Sequence, residues 1–126
     1  MNKTELVKIK QKALEEHIPI IMDDTLEVIS KILKEKKPNR ILEIGTAVGY
    51  SAICFSEFLA EGGSIDTIER EQDRVAEAMQ NIKKAEVEEK IHIFEGDAVE
   101  ILPTFTGSYD VVFIDASKGK YPFFLK

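Results

Sequence analysis

The sequence predicts an α/β fold, helices leading and a parallel sheet following, and three observations carry that reading. Residues 1–37 show apolar spacing of helical period, the chain from Pro38 onward alternates short apolar runs with helical stretches, and acidic residues stand at the ends of those runs. The expected division is therefore an N-terminal helical cap at 1–37 and a sheet-bearing part at 38–126.

In the first stretch, Leu6, Val7, Ile9, Ala13 and Leu14 recur between Thr4 and Glu16, and Pro19 interrupts. Asp23 or Asp24 is placed to cap a second helix, with Glu27 completing a capping box and Leu26, Val28, Ile29, Ile32 and Leu33 forming its buried face. Lys34, Lys36 and Lys37 suit the negative end of that helix before Pro38 stops it. Strands follow at Arg40–Ile44, Ser64–Glu69, Lys90–Phe94 and Tyr109–Asp115, with helices at about Tyr50–Glu61 and Gln72–Ala85 and a short one between Asp97 and Pro103. Right-handed crossovers join such strands in parallel. The uninterrupted Val111-Val112-Phe113-Ile114 run suits a strand buried on both faces.

The 126 residues fit one domain, and the longest apolar runs are too short to span a bilayer. The lysine-bearing start lacks the apolar core of a signal peptide, so a cytoplasmic protein without a membrane partner is expected. Net charge is −6, yet residues 1–40 carry nine Lys/Arg against seven Asp/Glu while residues 41–126 carry eight against sixteen. A nucleic-acid partner would have to meet a local patch, for which the lysines at 3, 8, 10, 12, 31, 34, 36 and 37 are candidates; the solvated outer faces of two amphipathic helices explain them better. Cys54 lies in an apolar stretch as a small hydrophobe, and neither His17 nor His92 has a partner pattern.

In an open α/β sheet ligands bind beyond the carboxyl ends of the strands. The first strand ends Glu43-Ile44-Gly45-Thr46-Ala47-Val48-Gly49-Tyr50-Ser51, where Gly45 allows a sharp turn and Gly49 close helix packing. Glu43 is a charge inside an apolar strand, costly unless it is paired or binds something. Glu69 closes the second strand, 24 residues after Gly45, where a carboxylate can accept both hydroxyls of a ribose. The glycine spacing is G-x-x-x-G, without the third glycine of a pyrophosphate loop, which disfavours a nicotinamide dinucleotide. Glu95-Gly96-Asp97-Ala98 follows the third strand; Asp97 suits an N-cap and, equally, the edge of an adenine. Asp115 closes the fourth strand, where a carboxylate could ligate a divalent cation, with Lys118 close by.

From Arg40 to Tyr121 the chain resembles the cation-dependent O-methyltransferases that use S-adenosylmethionine, the catechol and caffeoyl-CoA class. The resemblance rests on L-E-I-G-T-x-x-G-Y-S, T-I-E, G-D-A and Y-D-x-x-F-I-D-A-x-K-x-x-Y in that order. Ile18-Pro19-Ile20 and the turn from Ile114 to Gly119 look most similar to the bacterial branch that methylates 5-hydroxyuridine in tRNA.

That resemblance implies a Rossmann-like methyltransferase fold. Gly45, Tyr50, Ser51 and Met22 would meet the methionine part of the cofactor beside Glu43, Glu69 its ribose, and Gly96, Asp97 and Ala98 its adenine. It also implies that Asp115 touches cofactor and Mg²⁺, and that Lys118 takes the acceptor's proton. The acceptor expected is hydroxyuridine in tRNA, with a small hydroxylated aromatic as the alternative. Family members continue through further strands that carry two more metal ligands. The chain is therefore expected to be part of a longer protein, able to bind cofactor and not to transfer methyl efficiently. A non-catalytic binding module is the alternative of another class. With no partner beyond it, the apolar fourth strand is expected at a sheet edge, which favours a homodimer.

Overall fold

The sheet forms because its strands pair in the order β3-β2-β1-β4-β5, which puts the first strand at its centre. A computed structural model describes residues 1–114 and the strand 123–125. Helices α1 (Lys3–Glu15) and α2 (Asp23–Lys36) precede β1 (Arg40–Ile44), and α3 (Tyr50–Ser56) leads to β2 (Ser64–Glu69). Helix α4 (Gln72–Lys84), β3 (Ile91–Glu95), the short α5 (Ala98–Ile101), a 3₁₀ turn at Leu102–Thr104, β4 (Val111–Ile114) and β5 (Phe123–Leu125) complete the chain.

The first four strands run parallel, with Ile41 opposite Ile65 and Val111, and Ile65 opposite Ile91. Strand β5 lies antiparallel to β4. The expected α/β architecture with its helices in front is thus observed, and one expectation is corrected: β4 is not the edge, because β5 pairs along it.

One face of the sheet carries the main core, in which Leu33, Ile41, Ile53 and Ile65 have no exposed surface and Phe55 meets Phe113 edge-on at 5.2 Å. The other face gathers Leu42, Ile68 and Tyr109 under Phe94, Ile101 and Phe105. Burial alternates along β4, with Val111 and Phe113 inside and Val112 and Ile114 half-buried, so the expected double-sided burial of that strand is not complete among the described residues.

Local differences have local causes. Asn2 caps α1 by accepting from the Glu5 amide at 3.2 Å. Helix α2 starts two residues earlier than a capping box at Asp24 requires. Its N-cap is Met22, Asp24 accepts from its neighbour Thr25, and Asp23 pairs with Lys10 at 2.7 Å. Val28 points to solvent, 59 % exposed, while Ile29 and Leu33 hold the buried stripe. Helix α3 stops at Ser56, short of Glu61, and the chain turns through Gly62 and Gly63 into β2.

At the amino ends of the strands a polar cluster ties β1 to β2 and β4. Buried Asp66 accepts from Arg40 at 3.1 Å and from the Tyr109 hydroxyl at 2.7 Å, and meets His92 Nδ1 at 3.2 Å. Arg40 also stacks on the Tyr109 ring at 4.4 Å. Asp110 Oδ2 accepts from the amides of Asn39 and Arg40 at 2.7 and 3.1 Å, and its own amide donates to Arg40 O at 2.8 Å.

Two outcomes test this packing. Phe55→Ala removes a ring buried to 1 % exposure and is expected to cost about 3–5 kcal/mol in chemical denaturation. The amides of Arg40 and Asn39 hold the Asp110 carboxyl below the ordinary aspartate range. Its contribution is then present above the unfolded pKa and lost as pH falls through the lower folded value. The melting-temperature gap between wild type and Asp110→Asn should therefore be open at neutral pH and close below about pH 4; a gap constant with pH would contradict it.

Candidate functional site

The turn after β1 carries three residues with left-handed backbone. Gly45 (φ 99°) and Gly49 (φ 87°) take left-handed backbone, and Ala47 does so despite its side chain (φ 49°). A Cβ added at Gly49 would meet Ala78 of α4 at 3.4 Å, so the glycine also lets α3 start close against α4. The amides of Gly45 and Thr46 both donate to Ile68 O, at 2.8 and 3.2 Å, and the Gly49 amide donates to Thr46 O at 2.9 Å. Asn81, buried in α4, donates to Val48 O at 2.8 Å.

Beneath this turn Glu43 has no exposed surface. Its Oε1 accepts from Thr67 at 2.6 Å, and Oε2 accepts from Ser51. Glu43 and Thr67 sit directly opposite in the β1–β2 register, which puts both side chains on one face. Thr67 also meets Thr46 Oγ1 at 2.7 Å. The charge in the apolar strand is therefore met by the hydroxyl of Thr67 on the neighbouring strand and by that of Ser51 on the following helix.

Glu69 closes β2 with both oxygens engaged, Oε1 by the Ala47 amide at 2.8 Å and Oε2 by the Glu71 amide at 3.0 Å. It lines a cavity of about 190 Å³ with Gly45, Ala47, Glu71, Arg74, Ile18 and Pro19. A smaller pocket adjoins through the shared Pro19 and Ala47, walled by Ile20, Ile21, Thr46, Val48, Tyr50 and Ser51. The link between α1 and α2 thus forms a wall of both.

The structure brings Gly45, Tyr50, Ser51 and Glu69 to these two pockets, with Glu43 just below. Gly96 lies alongside, its amide donating to Glu69 O at 2.9 Å. Asp97 caps α5 by accepting from the Val99 amide at 2.9 Å, the structural role foreseen for it, and Ala98 opens that helix half-buried. Met22 follows the linker wall as the N-cap of α2 and is 58 % exposed. Asp115 and Lys118 lie outside the described residues. Among the described residues no three His, Cys, Asp or Glu side chains converge as a metal site.

Burial raises the Tyr50 hydroxyl well above its ordinary range and pushes the Cys54 thiol up to about 12. Both keep their protons at neutral pH, so Tyr50 stays a neutral hydroxyl beside Cys54 and Cys54 remains a packed, inert group. Sequence reasoning passed over Thr46, Thr67 and Asn81 as site residues. Thr46 and Thr67 stand inside the quoted G-T and T-I-E motifs, which was the available signal.

A family model described as O-methyltransferase matches residues 2–126. The chain is 34 % identical over 100 residues to a catechol O-methyltransferase of Niastella koreensis, covering 76 % of this chain and 44 % of that protein. It is 31 % identical over 127 residues to a caffeoyl-CoA O-methyltransferase of Stellaria longipes, covering 94 % and 53 %. Its fold matches the O-methyltransferase TomG of Streptomyces achromogenes, solved in complex with SAM, with a TM-score of 0.79 and 31 % identity over 89 % of this chain and 53 % of that one. The chain spans about half the length of these relatives. From its matched span, motifs and sheet order together, the chain belongs to the O-methyltransferase family.

Proposed function

We propose that this chain is the cofactor-binding part of an S-adenosylmethionine-dependent O-methyltransferase whose acceptor is a small hydroxylated aromatic of catechol or caffeoyl-CoA type. The observation that carries the cofactor reading is Glu69, held at the edge of a 190 Å³ cavity by two backbone amides, beside a G-x-x-x-G turn that lacks the third glycine of a pyrophosphate loop. Each carboxylate oxygen accepts one amide and keeps a lone pair for one hydroxyl of a ribose. Gly45 and Ala47 bring backbone to the same cavity, and the adjoining pocket with Tyr50 and Ser51 suits the amino-acid end.

In this reading the chain's own contribution is placement. The linker residues Ile18 to Ile21 cover the pockets and exclude water, and the α4-braced turn fixes the sulfonium relative to the acceptor, as an in-line displacement requires. From the sequence motif alone the proposal extends to a divalent cation, Mg²⁺ or similar, with Asp115 among its ligands; such a cation makes a bound hydroxyl more acidic. Lys118 would receive that proton.

The acceptor is argued from charge and from relatives. Lys3, Lys8, Lys10, Lys12 and Lys31 each lie within 4 Å of a carboxylate, with Glu57, Glu5, Asp23, Glu77 and Glu27, so these five of the eight candidate lysines are not unopposed charges for RNA. The named relatives methylate catechol and caffeoyl-CoA by their descriptions. Hydroxyuridine in tRNA stands as the alternative.

The test has a binding and a transfer arm. Calorimetry of the chain with S-adenosylhomocysteine is expected to show binding that Glu69→Ala weakens about tenfold or more. The protein expressed from its complete reading frame is expected to move labelled methyl from S-adenosylmethionine to catechol or caffeoyl-CoA. Absence of binding by wild type would remove the cofactor reading, and methylation of tRNA alone would replace the acceptor.

A further inference from the structure

The linker between α1 and α2 walls both pockets, so whatever ties its two ends sets where that wall stands. At its near end the amides of Glu16, His17 and Ile18 close α1 onto the carbonyls of Lys12, Leu14 and Ala13, and His17 takes left-handed backbone (φ 56°). Ile18 and Ile21 are buried and hold Pro19 and Ile20 between them over the pockets. At its far end α2 begins without a side-chain cap. Asp23, the first residue of that helix, instead reaches back thirteen residues to α1, where its Oδ1 stands 2.7 Å from Lys10 Nζ. Lys10 is 32 % exposed, whereas Lys3, Lys8, Lys12 and Lys31 are 61 % or more, which makes this the most covered lysine of the N-terminal ion pairs. Burial chiefly sets the protonation of Tyr50 and Cys54, and the charges of Asp23 and Lys10 reach the first and the second in turn. The pair therefore stands at the meeting of α1, α2 and α3, beside the Tyr50 that lines the smaller pocket.

We propose that the Lys10–Asp23 ion pair is a latch: it holds the linker of residues 16–22 down on the pockets, and breaking it loosens that wall and speeds release of the cofactor. The link to release rests on the S-adenosylmethionine reading above. Neither side chain lines a pocket, so both act through the linker they tie. A partly exposed pair of this kind shifts an opening equilibrium by about two- to fivefold and is screened by salt.

Hydrogen exchange of the free chain and stopped-flow release of S-adenosylhomocysteine test the latch separately. In Asp23→Asn and in Lys10→Met the amides of residues 16–22 should exchange about two- to fivefold faster than in wild type, with those of β1, β2 and α4 unchanged. Lys10→Met leaves the acidic start of α2 in place, so agreement of the two variants assigns the effect to the pair and not to the helix end. The double variant should be no faster than either single one, and Lys10→Arg should stay within about twofold of wild type. Salt of about 1 M should bring wild type to the level of the variants and leave the variants where they were. Release of S-adenosylhomocysteine should be about two- to fivefold faster from each single variant. Linker exchange unchanged in either variant, faster exchange spread through the sheet, additive single variants, or a wild type indifferent to salt would each overturn the latch. A looser linker with unchanged release would overturn its role at the pockets. A wild type that binds no S-adenosylhomocysteine overturns the cofactor reading and the release claim, and the exchange measurements then still decide whether the pair holds the linker.

Discussion

Burying a carboxylate in the middle of an apolar sheet carries a large desolvation cost, and Glu43 meets it through Thr67 on the adjacent strand and Ser51 on the next helix. That arrangement constrains much else. It requires β1 and β2 to pair with Glu43 opposite Thr67, since a one-residue slip would move one partner to the other face. It requires α3 to begin near enough for Ser51 to reach back, which the positive φ of Gly49 and its packing on Ala78 allow. The turn between them is then bridged to β2 through Ile68 and Glu69. The shape of the pockets follows from a polar contact below them as much as from the residues that line them.

The two ends of the sheet divide the labour. At the amino ends, Arg40, Asp66, Tyr109 and Asp110 bond to one another and clamp β1, β2 and β4 together. At the carboxyl ends, Glu43 and Glu69 are held by hydroxyls and amides while cavities open beside them. Acidic residues occur at both ends, yet only the second set borders the described pockets. Topology explains the difference, because β2 and β4 flank β1 on opposite sides and the strand order reverses there, which opens a crevice at the carboxyl ends.

Much of this was legible in the residues. Alternating runs and helical periods placed the four parallel strands and four of the helices to within a few residues, since buried parallel strands are continuously apolar and their crossovers are amphipathic. Glu43 was recognisable as a charge that needs partners, and Glu69 as a carboxylate at the end of a strand, where ligands of such sheets bind. The partners were not legible. Thr67 reads as an ordinary strand former until the register puts it across from Glu43, and Asn81 reads as a helix surface residue until α4 packs on the turn. Helix α3 was read too long because Phe58 and Leu59 continue an apolar pattern whose backbone has already turned. The edge expected at β4 is taken by β5, a three-residue pairing too short to carry a periodic signal.

The central claim, that the crevice above Glu43 and Glu69 receives the cofactor, is tested most directly by amide chemical-shift mapping while S-adenosylhomocysteine is added. The shifts are expected to concentrate at residues 45–51, 69–71 and 96–98, with Arg40, Asp66 and Tyr109 unmoved at the other end of the sheet. Shifts centred on that second group, or spread evenly over the chain, would contradict it.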